Sequence, residues 1–177
     1  MKYFISDTHF GHENIVKSRP CFSSVSEMDE CLIKNWNNKV TNNDEIYILG
    51  DFSFRVKGKV HEYLQRLYGK KHLIVGNHDP WWMKEVEDLS VYFESVSDIK
   101  TIRVEKMNVM LCHYPMLEWD GSTYLIHGHV HGNKDTMTYR YIKDNLPHVL
   151  NCCVDINHFE PVTFQELLRN SDEWYER

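Results

Sequence analysis

The stretch LIVGNHD, residues 73–79, passes directly from an apolar run to three polar side chains. Its first three residues are typical of a buried strand, and Gly76 lets the backbone turn sharply where that strand ends. Asn77, His78 and Asp79 then follow beside the core, where an unpaired polar group is costly unless it is hydrogen-bonded or liganded. Taken alone, GNHD is also compatible with an ordinary turn, because Gly, Asn and Asp all favour turns. The rest of the chain favours a functional site.

The length of 177 residues predicts a single domain, residues 1–177, with a sizeable core. No apolar run reaches membrane-spanning length and the first residues do not resemble a signal peptide, so we expect no membrane partner and a cytoplasmic location. The formal net charge of −6 argues against stable binding to nucleic acid through phosphate contacts. Five cysteines without a CxxC spacing predict neither a disulfide framework nor a zinc ribbon.

Apolar runs of strand type are followed by potential metal ligands at five places in the chain. On an extended chain, residues two apart point to the same side, so Asp7 and His9 can face one point in space. In α/β proteins the carboxyl ends of strands are where sites are built. The ligand-type residues that follow predicted strands are Asp7 and His9, Asp51, Asn77 and His78, His113, and His129 and His131.

Helices alternate with the first three predicted strands. Residues 24–27 and 163–166 both have the spacing of a capping box, which predicts helix starts there, and residues 60–67 have the spacing of an amphipathic helix. The pattern changes from about residue 91. Three apolar runs at 91–96, 100–104 and 109–112 follow one another closely, which predicts an antiparallel meander.

The chemistry of the candidate ligands narrows the kind of metal. Imidazole nitrogen combined with carboxylate and amide oxygen suits Mn, Fe, Zn, Co or Ni better than Ca or Mg. No cysteine thiolate belongs to the set, so a structural zinc site is not indicated. Seven candidate ligands are too many for one ion and suit two ions that share a bridging carboxylate.

In chain order the polar blocks are Asp7-Thr8-His9, Gly50-Asp51, Gly76-Asn77-His78-Asp79, His113 and Gly128-His129-Val130-His131. This series resembles the signature of the calcineurin-like metallophosphoesterases over residues 7–131, and is most similar to small bacterial and phage-type members. The resemblance implies an α/β fold in which two mixed β-sheets pack face to face with helices outside, a four-layer α/β/β/α sandwich.

The resemblance also implies a role for each block. It gives two divalent ions, with Asp7, His9 and His131 at one, Asn77, His113 and His129 at the other, and Asp51 as the bridge. Manganese is the expected metal, with iron, zinc, nickel and cobalt as alternatives. His78 would contact the phosphate and protonate the leaving oxygen, a step worth roughly 10²–10⁴-fold in rate, while Asp79 orients its ring. The implied reaction is hydrolysis of a phosphate monoester or diester by a hydroxide that bridges the ions.

The implied substrate is a small phosphate ester, with a nucleotide as one candidate. Protein phosphatases of the superfamily carry GDxxDRG and GNHE, whereas here Asp51 is followed by FSFR and the fourth block ends in Asp79. These departures argue against a protein phosphatase, which is kept as the alternative enzyme. A non-catalytic scaffold on the same fold is the alternative from another class of protein.

Three further residues are candidate substrate contacts with equally ordinary alternatives. His12 could reach substrate or lie in a solvated loop, and Arg55 could touch phosphate or be simply solvated. Trp81 with Trp82 could stack on a base, or both could pack a short helix onto the core. His127 is expected to support the site or end a strand. No role is assigned to the polar residues after the last predicted strand, Asp155, Asn157 and His158.

Overall fold

The computed structural model describes residues 1–56 and 58–176. The described strands are β1 (Lys2–Ile5), β2 (Glu45–Ile48), β3 (Lys70–Ile74), β4 (Phe93–Ser97), β5 (Ile99–Val104), β6 (Met107–Cys112), β7 (Tyr124–His127), β8 (Val149–Asn151) and β9 (Val162–Thr163). The described α-helices are α1 (Val25–Lys39), α2 (Val60–Arg66), α3 (Asp79–Met83), α4 (Met137–Asn145) and α5 (Phe164–Tyr175). Short 3-10 helices lie at Glu13–Ser18, Leu89–Val91 and Val154–Ile156. Within the described ranges, every helix is too short or too polar to cross a bilayer.

The strands form two mixed sheets. In the first sheet the order is β4-β3-β2-β1-β9, with β1 to β4 parallel and β9 antiparallel to β1. In the second sheet the order is β5-β6-β7-β8, with β5 antiparallel to β6 and the other pairs parallel. Parallel pairs place their carboxyl ends at the same edge, which is what brings the polar blocks together.

The two sheets pack face to face through alternate residues of their strands. Phe4 and Tyr47 of the first sheet share a buried cluster with Leu111 and Ile126 of the second. The neighbouring residue Ile5 belongs to a different cluster on the outer face of the first sheet. This division follows from the strand period of two, which sends successive side chains to opposite faces.

Helices cover both outer faces. Leu32 and Trp36 of α1 and Leu64 of α2 pack on the outer face of the first sheet. Ile142 of α4 and Tyr175 of α5 pack on the outer face of the second. The α/β class and the order of layers, helices, sheet, sheet, helices, confirm the predicted four-layer sandwich.

The predicted antiparallel meander is wrong. Strand β4 lies parallel to β3 at the edge of the first sheet, and only β5 and β6 form an antiparallel pair, in the second sheet. Only Asp98 separates β4 from β5, so the chain crosses between the sheets there. A short stretch between two apolar runs predicts that the two strands are joined tightly. It does not indicate which sheet each strand joins.

The helix ends were predicted more accurately than the helix count. At the start of α5, Thr163 and Glu166 form both hydrogen bonds of a capping box. At the start of α1 only half of the box forms, because the Glu27 carboxylate accepts from Ser23 and not from the Ser24 backbone. No capping box or amphipathic spacing predicted helix α4, which lies between β7 and β8.

Candidate metal centre

The polar blocks of both sheets meet at one edge of the sandwich. In the first sheet, the Asp7 backbone N–H donates to Gly50 at 3.0 Å, which continues the β1–β2 pairing beyond the strands. In the second, the Gly128 N–H donates to the His113 carbonyl at 3.0 Å. The Ser6 N–H donates across to the Cys152 carbonyl at 3.1 Å, so the two sheets are joined where the cluster lies.

Asp51 lies at the centre of the cluster and is almost completely buried. Its Oδ2 is 3.8 Å from His9 Nε2, 3.6 Å from His113 Nε2 and 3.8 Å from His78 Nε2. These separations are too long for hydrogen bonds. The separations from His9 and His113 suit side chains that share a cation lying roughly 2.0–2.2 Å from each ligand atom.

Asp7 is oriented by its own strand and by the second sheet. Its Oδ2 accepts from Ser6 Oγ at 2.6 Å, and its carboxylate accepts from the His129 backbone N–H at 3.1 and 3.0 Å. Its Oδ1 lies 3.7 Å from His131 Nε2. The carboxylate therefore faces the same space as the imidazole of His131.

Hydrogen bonds fix which ring nitrogen of two histidines faces the cluster. His113 Nδ1 lies 2.7 Å from the Leu49 carbonyl, which can only accept, so Nδ1 carries the hydrogen and Nε2 faces the cluster. His113 Nε2 is 3.0 Å from Asn77 Oδ1. His131 Nδ1 is 2.8 Å from Asp155 Oδ2, which leaves its Nε2 directed toward Asp7.

His9 gives the clearest indication that the cluster can bind a cation. It is 2% exposed, and in the described part of the chain neither ring nitrogen has a hydrogen-bond partner. Burial, followed by the neighbouring His131 and Arg19, lowers the pKa of His9 to about 2, which keeps the ring neutral and able to bind a cation. A buried polar side chain without a partner is costly. A metal ion would remove that cost.

The side chains approach closely enough to form two adjoining sites. One ligand atom each from Asp7, His9 and Asp51 lie within 4.8 Å of one another, and so do those of Asp51, His113 and His129. Asp51 belongs to both groups. The arrangement fits two divalent cations with one carboxylate between them.

Cys153 also lies within 4.8 Å of Asp7 and His131. Its buried thiol donates to Asp155 Oδ2 at 2.9 Å, and burial, with the negative charge of Asp155, raises the thiol pKa well above 9.0. The thiol is thus directed toward Asp155, and Cys153 is not one of the seven candidate ligands.

The backbone is strained at the cluster itself. Positive φ angles at non-glycine residues cost on the order of 1–3 kcal/mol each and persist only where the surrounding structure enforces them. Five of the candidate ligands have such angles: Asp7 (56°), His9 (51°), Asp51 (53°), His129 (70°) and His131 (49°).

Two glycines allow the polar blocks to approach so closely. A Cβ at Gly50, whose φ is +83°, would lie 2.5 Å from His113 Nδ1 and 2.6 Å from the Cα of Gly76. A Cβ at Gly128 would lie 2.5 Å from Asp7 Oδ2. Real Cβ atoms do not tolerate such distances, so larger residues would move the candidate ligands.

The structure corrects the role expected for Asp79. Its buried carboxylate accepts four hydrogen bonds, and the His78 ring is not among the donors. Oδ2 accepts from the backbone of Asp51 at 2.9 Å and of Gly76 at 2.8 Å, and Oδ1 accepts from the Phe52 backbone at 2.9 Å and Trp82 Nε1 at 2.8 Å. Because Asp79 is the first residue of α3, its side chain turns back onto the strand ends and holds the two loops of the first sheet together.

The three candidate substrate contacts lie at different distances from the cluster. His12 is half-buried, with its ring centroid 5.3 Å from that of His9, and its Nδ1 is buried without a partner in the described residues. Arg55 is exposed over the Phe54 ring, and Trp81 is 61% exposed. Neither makes a described hydrogen bond or ion pair with the cluster. Trp82 is buried, which confirms the packing alternative for that residue.

Two buried charged residues at the site were missed from the sequence. Asp155 was identified as polar but given no role, although its place just after β8 is a signal of the kind used for the other blocks. Arg19 lies at the end of a 3-10 helix and had no signal, because a single arginine in an irregular segment is usually solvated. Its partners lie far away in the chain.

Comparison with known proteins places the chain in a family. A family model for the calcineurin-like phosphoesterase superfamily domain matches residues 1–152. The uncharacterized protein MJ1445 of Methanocaldococcus jannaschii is 36% identical over 175 residues, a match covering 94% of this chain and 89% of that protein. The gene 66 protein of Mycobacterium phage L5 is 34% identical over 158 residues, covering 73% of this chain and 76% of that protein.

A solved structure of similar size shares the fold. The crystal structure of AQ665 from Aquifex aeolicus, described as a protein of unknown function, matches with a TM-score of 0.73 and 30% sequence identity. The match covers 96% of this chain and 98% of that one. With the Asp and His cluster, the family match indicates metal-dependent hydrolysis of phosphoesters. The chain belongs to the calcineurin-like phosphoesterase superfamily.

Proposed function

We propose that this protein is a phosphoesterase that holds two divalent ions and hydrolyses a small phosphate ester. The observation that carries the proposal is the position of Asp51, whose Oδ2 lies 3.8 Å from His9 Nε2 and 3.6 Å from His113 Nε2. The unpaired, buried nitrogens of His9 support it, because a cation would satisfy Nε2, the nitrogen that lies near Asp51.

The proposed ligands divide about Asp51. One ion would be held by Asp7, His9 and His131, the other by Asn77, His113 and His129, with Asp51 shared. When bound, two divalent ions polarise the phosphoryl oxygens and lower the pKa of a water molecule toward 7. Two divalent ions would carry four positive charges, and Asp7 and Asp51 together carry two negative charges. The site would therefore be net positive and would attract a phosphate ester. Manganese is our proposed metal, since the mixed nitrogen and oxygen donors favour transition metals.

His78 is proposed as the proton donor to the leaving oxygen. Its side chain is 32% exposed, so it can reach a substrate at the mouth of the cluster, and its Nε2 lies 3.8 Å from Asp51 Oδ2. Its backbone N–H donates to Asp51 Oδ1 at 2.9 Å, which fixes the residue beside the shared acid. The ring packs edge-on against Phe54, with centroids 4.4 Å apart. We therefore assign to Phe54 the role that the resemblance gave to Asp79, which is to orient the His78 ring.

A groove of about 710 Å³ opens beside His131 and is proposed to take the leaving group. Its walls include the aromatic side chains of Phe159 and Trp174, and Lys134 lies over the Trp174 ring at 4.7 Å. Stacking of a base on an aromatic ring contributes about 1–3 kcal/mol. These features support a nucleotide-type ester as the substrate.

The test is hydrolysis of an aryl phosphate ester by purified protein, with Mn²⁺ added and then removed by a chelator. We expect turnover with the metal and none after chelation. A screen of nucleotides, cyclic nucleotides, diesters and phosphopeptides then identifies the substrate class. A preference for phosphopeptides would favour a protein phosphatase, and a protein that binds no metal and turns over no ester would be a scaffold.

Two variants separate ligand from acid. Asp51→Asn should lower both metal content and rate, because it removes the shared charge. His78→Gln should leave the metal content unchanged and cut turnover by roughly 10²–10⁴-fold for poor leaving groups. The loss should be smaller for an aryl ester, whose leaving oxygen scarcely needs a proton. If His78→Gln strips a metal, or if the loss is equal for both kinds of substrate, His78 is not the acid.

A further inference from the structure

A largely buried ion pair lies beside the proposed ligand His131, in the wall of the same groove. The guanidinium of Arg19, which is 1% exposed, contacts the Asp155 carboxylate at two points, Nε to Oδ1 at 2.8 Å and Nη2 to Oδ2 at 3.1 Å. Removing two such charges from water is costly, and the pairing repays it only with good geometry and further hydrogen bonds. Arg19 Nη1 also contacts Met28 Sδ in the core at 3.3 Å, and the other side-chain hydrogen bonds of this pair go to Asp7, Thr8, His131 and Cys153.

Arg19 holds the backbone of the first polar block. Its Nη2 donates to the Asp7 carbonyl at 2.6 Å and its Nη1 donates to the Thr8 carbonyl at 3.1 Å. Asp7 has a φ of 56°, a strained conformation that needs outside support. The guanidinium gives that support at the residue whose carboxylate faces the cluster.

Asp155 holds the ring of His131. Its Oδ2 lies 2.8 Å from His131 Nδ1, which keeps the hydrogen on Nδ1 and leaves the Nε2 lone pair facing Asp7 Oδ1, 3.7 Å away. Carboxylates that accept from the far nitrogen of a histidine ligand fix its tautomer and raise its basicity. The buried thiol of Cys153 donates to the same Oδ2 and helps to satisfy it.

Asp155 links Arg19 to His131. Each of its carboxylate oxygens accepts from the Arg19 guanidinium, and Oδ2 also faces His131 Nδ1. His113, in contrast, is held by the Leu49 backbone carbonyl and is independent of this pair.

From these contacts we infer that Arg19 and Asp155 are positioning residues that preorganise one of the two ion sites, the one that contains Asp7 and His131, and leave the site at His113 unaffected. The inference rests on the proposed function for the identity of the ligand, a divalent ion. The inference requires that Asp155 hold the His131 imidazole with its hydrogen on Nδ1. That arrangement does not depend on metal and can be measured separately.

The first measurement is calorimetric titration of the metal-free protein with Mn²⁺. We expect two sites in the wild type. Asp155→Asn should weaken one of them by about 10–100-fold and leave the other unchanged. Arg19→Lys, which keeps the charge but loses the two-point contact, should weaken the same site. Equal weakening of both sites together with a lower melting temperature would show a purely structural role and overturn the inference.

The second measurement needs no metal. Nitrogen-15 NMR of labelled histidines, recorded at alkaline pH where the imidazole is neutral, should show His131 as the Nδ1-protonated tautomer in the wild type. The double variant Arg19→Met/Asp155→Leu removes both charges together, which avoids an unpaired buried charge, and His131 should lose that fixed tautomer. An unchanged His131 signal would overturn the inference even if metal binding fails. If the wild type binds no Mn²⁺ and the tautomer still depends on Asp155, the proposed function fails and the positioning role stands.

A matched control is available elsewhere on the molecule. Arg66 and Glu30 form a similar two-point pair, at 2.7 and 2.6 Å, on the exposed surface. The double variant Arg66→Met/Glu30→Leu should leave both the metal titration and the His131 signal as in the wild type. A change in either of them would mean that loss of any ion pair disturbs the site.

Discussion

Asp79→Asn should damage this protein more than its small change in shape suggests. The carboxylate is fully buried and accepts four hydrogen bonds, two at each oxygen. An amide has one oxygen and one NH₂ group. In either orientation the NH₂ group faces two N–H donors, so two hydrogen bonds are lost and their donors are left buried.

The magnitude follows from those two donors. Each buried polar group left unsatisfied costs about 1–3 kcal/mol, which gives about 2–6 kcal/mol in total. Burial raises the pKa of Asp79 against the hydrogen bonds from Gly76, Trp82 and Phe52, so removing the charge offsets part of the loss. We expect a net destabilisation of about 2–3 kcal/mol, or a fall in melting temperature of roughly 4–12 °C for a chain of this size.

The assay is urea unfolding of the metal-free protein, followed by circular dichroism. Asp88→Asn is the control, because the exposed Asp88 carboxylate accepts only from the N–H and Oγ of Ser90. That change should alter the free energy of unfolding by less than about 1 kcal/mol. If Asp79→Asn is no more destabilising than Asp88→Asn, the four hydrogen bonds do not hold the loops as described.

Two further predictions concern close packing and pH. Gly128→Ala should displace the Asp7 carboxylate and weaken metal binding measured by calorimetry. Gly121→Ala, whose added Cβ would meet no atom within 4 Å, should leave metal binding unchanged, and equal effects on metal binding would contradict the close approach at Gly128. Burial lowers the pKa of His72 in the folded protein, so as pH falls below about 6.5 the unfolded chain takes up a proton that the folded chain resists, and stability is lost. His72→Asn should flatten the fall in urea stability between pH 7.5 and 5.5, and the exposed control His61→Asn should leave it unchanged; identical slopes for all three proteins would refute the assignment.

The sequence was most informative where the relevant interactions are local. A strand, a turn and the side chains that follow it lie within a few residues, so the blocks at Asp7, Asp51 and His113 could be identified and placed at strand ends. Their convergence could be expected, because parallel strands end at a common edge. The capping box at Thr163 was predictable for the same reason, since both of its hydrogen bonds lie within four residues.

The pairing between strands was harder to predict from the sequence. Strand β4 has the same short, apolar character as β5 and β6, yet it lies parallel to β3 in the other sheet. The alternation of its side chains fits either sheet edge. Its position is defined by backbone pairing with β3, a partner that no pattern within β4 specifies.

The sequence by itself determined the family of this protein, together with the residue types of the candidate ligands and their order along the chain. Only the tertiary structure decided how those residues are held. Arg19 and Asp155 are 136 positions apart, and Asp79 reaches Asp51 across 28. The positions of their hydrogen bonds, the tautomers of His113 and His131 and the strain at the ligands all arise from contacts between distant segments, which no local pattern of residues specifies.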